Sequence, residues 1–591
     1  MSFASLRAAR QSKESKSFVD GARPIRGSTV LTNSQNETAQ PDPDKEPMTP
    51  EVVADQPSGL PAWLDVRRST ARGKGLYAKE TLTPGSIVLS LRPRVSVLST
   101  PNLEFYCSYC AGPALDTSLR RCTGCRIVRY CDSSCQNSDW YIHKSECQAL
   151  QRWASSAPSA DVGVPSDAVR CLGRTLWTMQ KKGLDSYVTK ELSLLQSHRG
   201  SLPPSSHGSH TLLAHSIVRY IGATSPSELA PYGLVSAGDL VDLISRFTTN
   251  TFTLTSCSLT PIGICTSPPL ALVNHSCDPN SVVVFPRPSK STAPEPVMQL
   301  VSLRPINVDE EILIAYIDTT LPRELRRATL EESYNFVCKC TLCDGDISDP
   351  RVSMRCPKAC GGTCPLPTEE ENLTRCVKCR AVVSSVDSVL DAVRVGQEAL
   401  SKATALQFRD PVKASQLTTN MIPILSSAGL TPSCHPLLAM TRLHKELLIT
   451  SLGTSFSQDI LDDTIRAAVK YNIGLSNVLT YGHPVRSVAL AEAGKLLAVD
   501  EPSPPNAVNV AEAFPPHGPP RLRLAHEMLV QARSELAIGF GRANEGGQLG
   551  LELREIIVRT EKELGVWDSG VRNVVEDAKS AKATQRRLGT T

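Results

Sequence analysis

Asn274-His275-Ser276-Cys277-Asp278-Pro279-Asn280 delivers an amide, an imidazole, a hydroxyl and a thiol within one short run. The apolar Leu270-Ala271-Leu272-Val273 leads into it and reads as a buried strand or turn entering a packed site. Pro279 keeps a regular ladder from continuing past it. The run is polar chemistry set in a core, so the flanking chain must supply its partners. Upstream, Thr249-Asn250-Thr251-Phe252-Thr253-Leu254 alternates and is β-branched, which predicts a strand entering the same site. Downstream, Val282-Val283-Val284-Phe285 and Met298-Gln299-Leu300-Val301 flank a Pro/Ser loop as a hairpin. The stretch from Asp309-Glu310-Glu311 through Tyr316 to Asp318 then closes the core.

The thiols need partners too. Cys338, Cys340 and Cys343 put three within six residues, which cannot complete a tetrahedral zinc site without a fourth from elsewhere; Cys277 is the natural candidate. Farther upstream, Cys107-x2-Cys110, Cys122-x2-Cys125, Cys131-x3-Cys135 and His143-x3-Cys147 make eight ligands for two tetrahedral sites, paired either sequentially or interleaved. His143 and Cys147 lie in a helical stretch, one turn apart on one face. Eight ligands close both sites and leave no open position for water, so these ions are structural: a domain of roughly 40 residues needs metal simply to fold. A last group, Cys356-x3-Cys360-x3-Cys364-x11-Cys376-x2-Cys379, has the spacing of a zinc ribbon. Cys356, Cys376 and Cys379 are its expected ligands, with Cys360 or Cys364 as the fourth.

Composition bounds the class. A chain of 591 residues, 41% apolar, can bury three or four cores. Lys plus Arg number 63 against 59 Asp plus Glu, a net charge of +4, which lacks the footprint of a dedicated nucleic-acid binder. No apolar run approaches the roughly 18 residues that cross a bilayer, so a cytoplasmic or nuclear protein is expected. Twenty cysteines in such a compartment are metal ligands rather than a disulfide framework.

Taken together, the heptapeptide, Arg72-Gly73-Lys74-Gly75-Leu76-Tyr77-Ala78, the cysteine-rich block and Asp309-Glu310-Glu311 with Tyr316 resemble the SET and MYND domain (SMYD-type) family of protein-lysine methyltransferases. The resemblance implies interleaved zinc ligation in the finger: Cys107, Cys110, Cys131 and Cys135 on one ion, Cys122, Cys125, His143 and Cys147 on the other. It implies that Cys277, Cys338, Cys340 and Cys343 share a post-SET zinc. S-Adenosylmethionine would lie against Arg72, Gly73, Lys74, His198, Asn250, Asn274, His275, Tyr334 and Phe336. Phe252, Tyr316 and Tyr334 would line the lysine channel, and Tyr316 would be the catalytic tyrosine. This chain departs from the family at Thr249, where Cys is usual, at Val308, where Pro is common, and at Asp309, where Gly is usual. Asp tolerates a positive φ better than a β-branched residue, so a small local cost is expected there.

The implied architecture is α+β: a split SET β-fold interrupted by a MYND finger and a helical insertion, then an all-α, tetratricopeptide-like region. Its expected divisions are a disordered tail (1–60), N-terminal SET segment (61–106), finger (107–147), helical insertion (148–245), core SET (246–320), post-SET segment (321–345), zinc ribbon (350–382) and helical domain (384–591). The insertion reads as helical with a Pro/Ser/His/Gly break at 201–210, and Pro502 to Pro520 reads as a loop. The implied activity is methyl transfer from S-adenosylmethionine to a protein lysine, histone or otherwise, by a monomer with three zinc ions or, with the ribbon, four. Proline-rich peptides are the partners the resemblance implies for the finger. The competing reading is a non-catalytic scaffold or transcriptional co-regulator that uses the finger and helices to recruit partners.

Overall fold

The computed structural model describes residues 51–52, 59–70, 72–114, 118–193, 195–201, 204–287, 295–345, 348–368, 373–501 and 514–566. The expected tail before residue 50, the Pro/Ser loop at 288–294 and most of the loop from Pro502 lie outside them. The described residues up to Thr319, with 323–345, form one compact unit; Thr320–Pro322 and the residues from 348 onward belong to a second.

The first unit is built on small sheets. Leu64–Ser69 and Gly73–Ala78 pair antiparallel, placing buried Val66 opposite Leu76. Glu51–Val52 adds to the outer edge of this hairpin, inside the stretch expected to be tail. An open edge offers unpaired N–H and C=O groups to any extended backbone, whatever its side chains. Pro261–Thr266 is the middle strand between Val95–Leu98 and Thr251–Thr255. Met298–Ser302 lies between Ile87–Leu91 and the expected hairpin partner Ser281–Val284. Val88, Leu98, Ile264, Leu300, Ile306 and Ile312 from these strands and their connections share one apolar core.

The predicted strand 249–254 begins later than expected. Thr249 ends the helix Ala237–Thr249 and Asn250 caps it, leaving Thr251–Thr255 as the strand. The capping box of Ser236 and Asp239 starts this helix, and its last turn absorbs the polar residues. The segment 309–318 is strand only at Leu313–Ile314, which runs parallel to Asn274–His275. Asp309 sits at φ +65°, the left-handed conformation its place in the family's Gly position suggested. The helical insertion contains Asp167–Lys182, Tyr187–Ser193 and Pro204–Ile221. The break predicted at 201–210 is thus a helix start, because a proline in the first turn gives up an N–H that has no partner there.

In the second unit, Ser353–Arg355 and Thr363–Pro365 pair as a short hairpin. Six helices precede a further helical run at 547–566: Val386–Leu406, Pro411–Ser427, His435–Leu452, Gln458–Val478, Pro484–Leu497 and Pro519–Gly539, each of the six packed on the next. Asp410, Ser457 and His483 cap three of them through side chains that accept backbone N–H groups. Buried Ala525, Leu529, Ala532 and Leu536 define the inner face of the sixth. Among the described residues, no helix is long and apolar enough to cross a membrane.

Candidate functional site

The cysteine-rich block folds as two interleaved ligand groups. Cys107, Cys110, Cys131 and Cys135 bring their Sγ atoms within 4.8 Å of one another, and Cys122, Cys125, His143 and Cys147 do the same with Sγ and ring nitrogen. The Cys110–Cys131 and Cys122–Cys147 sulfurs stand 3.7 and 3.9 Å apart. With Zn–S bonds of about 2.3 Å, a tetrahedron has edges of about 3.8 Å, so both groups could hold zinc. The helix Ser133–Ser155 carries Cys135 in its first turn and His143 and Cys147 on two later successive turns, and the Asp132 side chain caps it by accepting from Cys135 N. His143 Nδ1 pairs with the fully buried Glu146 at 2.9 Å, which turns Nε2 toward Cys122.

The heptapeptide sits where two remote segments meet. Asn274–His275 pairs with Leu313–Ile314, and Ser276 N donates to Ile314 O at 2.9 Å. Asn280, fully buried, locks this crossing: its Nδ2 donates to Glu311 O (2.8 Å) and Glu310 Oε1 (3.1 Å), and its Oδ1 accepts from Leu313 N (2.8 Å). Asn280→Ala removes these three bonds from partly buried partners, so we expect a loss of roughly 1–3 kcal/mol of stability in urea unfolding. A change below about 1 kcal/mol would contradict that role.

One side of the crossing is polar. Asn274 Nδ2 donates to Lys74 O (3.1 Å) and Glu311 Oε1 (2.8 Å), while Arg72 Nη1 reaches Glu311 Oε2 at 3.0 Å. A Cβ at Gly75 would fall 2.5 Å from Glu311 Oε1 and 3.0 Å from Asn274 Nδ2, so only glycine admits this approach. The other side is aromatic. Tyr316 packs its ring 5.0 Å from Tyr334 and 5.2 Å from His275, and Phe336 lies 5.9 Å from His275. Tyr316 N donates to His275 Nδ1 (3.0 Å), and Tyr316 OH donates to Val273 O (2.6 Å). Burial holds the imidazole down to about 4, so it is neutral at pH 7 with its proton on Nε2. Burial, with Tyr334 and Glu311 nearby, pushes the Tyr316 phenol well above its ordinary value; burial takes Tyr334 up to about 12. Both phenols keep their protons at neutral pH.

Cys277, Cys338, Cys340 and Cys343 gather under the aromatic side, with Sγ atoms within 4.8 Å of one another and Cys277–Cys343 at 3.5 Å. Arg323 and Arg327, on the helix Arg323–Tyr334, donate to Gly345 O and Cys343 O and hold the cysteine turn against that helix.

The MYND finger family matches residues 107–147, the whole of the interleaved block. "SET domain and MYND-type zinc finger protein 6" of Schizosaccharomyces pombe is 30% identical over 275 residues, 46% of this chain and 50% of that protein. Residues 107–147 are a MYND finger, and the chain is similar to SET and MYND domain proteins. "Histone-lysine N-methyltransferase ASHR1" of Arabidopsis thaliana is 26% identical over 60% of this chain and 73% of its own length. "Histone-lysine N-methyltransferase SMYD3" of Homo sapiens is 29% identical over 47% of the chain and 60% of its length. The chain thus spans between half and three quarters of the length of these relatives. A solved SET domain, "Crystal structure of the SET domain of LSMT bound to Lysine and AdoHcy", overlaps 87% of this chain and 88% of its own at 12% identity, with a TM-score of only 0.23.

Of the expected cofactor residues, Arg72, Gly73, Lys74, Asn274 and His275 meet at the crossing with Tyr316, Tyr334 and Phe336. His198 and Asn250 form a second neighbourhood. Asn250 Nδ2 donates to Gln196 O (3.1 Å) and Arg246 O (2.7 Å), tying the loop that holds half-buried His198 to the end of the helix. Phe252 lies on the strand Thr251–Thr255 opposite Cys265 and packs, like Tyr316, against the core of the first unit. Glu311, Asn280 and the Val273 carbonyl escaped the sequence reading.

Proposed function

We propose that this protein transfers a methyl group to the side-chain amine of a lysine in a protein substrate. S-Adenosylmethionine, when bound, would supply that methyl on a sulfonium. The observation that carries the reading is the half-buried, protonated Tyr316 hydroxyl, held by Val273 O at the junction of the aromatic group and the Asn274 cluster. Arg72, Gly73, Lys74, Asn274 and His275 are the residues proposed to hold the cofactor, with His198 and Asn250 on its far side and Phe336 stacking on it. Their donor and acceptor set suits a zwitterionic nucleoside: the Arg72 guanidinium for a carboxylate, Glu311 for an ammonium, and an aromatic face for a base.

The reaction asks little more of the protein than placement. A lysine ammonium has a reference pKa of about 10.4, and its lone pair is needed. Tyr316, Tyr334 and Phe252 are the proposed channel, where an apolar wall disfavours the charged amine and directs its proton out to solvent. The neutral amine would be the nucleophile for the methyl that bound S-adenosylmethionine would supply, with the sulfur as leaving group. The Tyr316 hydroxyl orients the reacting groups. Three zinc ions are proposed to hold the frame: two in the finger and one on Cys277, Cys338, Cys340 and Cys343, where it would tie the heptapeptide to the segment carrying Tyr334 and Phe336.

Two relatives are named histone-lysine methyltransferases, which makes histone peptides the first substrates to try. Calorimetry with S-adenosylmethionine, followed by mass-shift assays on a lysine-peptide library, tests the reading; no binding and no mass shift would overturn it in favour of a scaffold. Asn274→Ala should weaken cofactor binding about 10-fold or more, because the amide also holds the Lys74 strand and Glu311 in place. An unchanged dissociation constant would remove Asn274 from the cofactor site.

A further inference from the structure

We propose that Cys356, Cys360, Cys376 and Cys379 hold an additional zinc ion that staples the start of the helical unit. Their four Sγ atoms lie within 4.8 Å of one another, with Cys356–Cys379 and Cys360–Cys376 both at 3.5 Å. Those separations suit tetrahedral edges of about 3.8 Å and are far from a disulfide bond of about 2.05 Å. All four cysteines are unbridged.

The backbone supplies an internal standard. In the MYND finger, the residue after the second cysteine of each Cys-x2-Cys turn is left-handed: Ala111 at φ +53° and Arg126 at φ +57°. In each turn its N–H returns to the first cysteine's carbonyl, Ala111 N to Cys107 O at 2.8 Å and Arg126 N to Cys122 O at 3.0 Å. The turn Cys376-Val377-Lys378-Cys379 repeats this conformation: Arg380 is at φ +59° and its N–H donates to Cys376 O at 3.0 Å. Left-handed backbone is uncommon for side-chain-bearing residues, so its recurrence at the same place after two cysteines marks a ligand-presenting turn. The other half, Cys356 to Cys360, is one residue longer and uses Ala359 at φ +50°. Lys358 N and Lys378 N each point at the sulfur of the first cysteine of their turn, at 3.4 Å. These two amides offset the excess negative charge that four thiolates place on one divalent ion.

Gly362 lets the halves close. A Cβ there would stand 2.9 Å from Cys376 Sγ and 3.4 Å from Cys360 Sγ. Cys364, on the strand Thr363–Pro365 opposite Met354, is excluded from the ligand set because its Sγ is not among the four that converge; it packs in the apolar core. Cys356 and Cys376 share that core with Val389, Leu400, Leu425 and Leu430, while Arg355 N donates to Gly429 O at 2.7 Å. The ion would therefore fix the hairpin against the first three helices. It takes no part in the proposed methyl transfer.

Metal analysis of the full-length protein tests this directly. Cys376→Ser and Cys379→Ser are each expected to lose one zinc equivalent relative to wild type, and Cys364→Ser none. Unchanged zinc content in the first two would overturn the proposal. Because a variant can fail to fold, the wild type gives a second reading. Cys379 is exposed, so as a free thiol it should alkylate readily. Peptide mapping after N-ethylmaleimide should show Cys379 protected until a chelator is added, with at least about a 10-fold acceleration then. Rapid alkylation of Cys379 without zinc release would sink the site. Neither readout involves methyl transfer, so failure here leaves the proposed activity standing, and the reverse.

Discussion

Tyr316→Phe should slow methyl transfer by about 100-fold or more while moving the dissociation constant of S-adenosylmethionine by less than about twofold. The hydroxyl is a single polar atom in a ring of aromatic side chains, and its proton is committed to Val273 O at 2.6 Å. A donor so fixed contributes little to ground-state binding, yet it stands where charge and geometry change during the reaction. The substitution keeps the ring and its packing on Tyr334 and His275, so folding should be spared. Single-turnover methylation of a lysine peptide, alongside calorimetry of the cofactor, separates the outcomes. Equal losses in both would make Tyr316 a binding residue, and unaltered turnover would remove it from the reaction. Tyr334→Phe provides the comparison: its hydroxyl only reaches Tyr316 O at 3.3 Å, and a loss of about 10-fold or less is expected.

What could be read before folding was the local chemistry. The finger's ligands declare themselves because thiolate and imidazole at short spacing have few other uses, and the left-handed turns after Cys110 and Cys125 follow from that spacing. Asp309 was legible because the constraint on it is a property of its own backbone. Glu311 was not legible, because its meaning depends on Arg72, 239 residues away, and on Asn274 arriving between them. The position of Asn250 was misread for a different reason: β-branched Thr249 and Thr251 favoured a strand, but the capped helix from Ser236 keeps the first of them. Pro204 was read as a breaker when its place at a helix start makes it an initiator.

Arg174→Met is expected to cost about 3–5 kcal/mol, the largest stability effect in the first unit. Arg174 lies on the insertion helix Asp167–Lys182 and is almost wholly buried; it reaches Asp139 Oδ2 at 2.8 Å and Glu146 Oε2 at 2.6 Å on the finger helix. Burial pushes the Glu146 carboxyl up, but Arg174, the His143 hydrogen bond and Arg170 outweigh it and hold the group well below the usual carboxylate range. Burial likewise works against the Arg174 charge, and Asp139 with Glu146 overcomes it. The cluster is therefore stable only as a whole. Removing the guanidinium leaves Asp139 only the Tyr130 hydroxyl and Glu146 only His143 and the more distant Arg170, and Glu146 is the group that fixes the His143 ring toward Cys122. The same change should weaken zinc at the His143 site by about 10- to 100-fold in chelator competition, through the orienting carboxylate rather than through a ligand. Trp140, Trp153 and Trp177 lie on these two helices and report their unfolding by fluorescence in urea. Neutralising the two carboxylates in Arg174→Met/Asp139→Asn/Glu146→Gln should recover part of the stability, because the penalty is unpaired charge and not lost volume. A single variant within about 1 kcal/mol of wild type, or a triple variant no better than the single, would show that the cluster does not bind finger to insertion in this way.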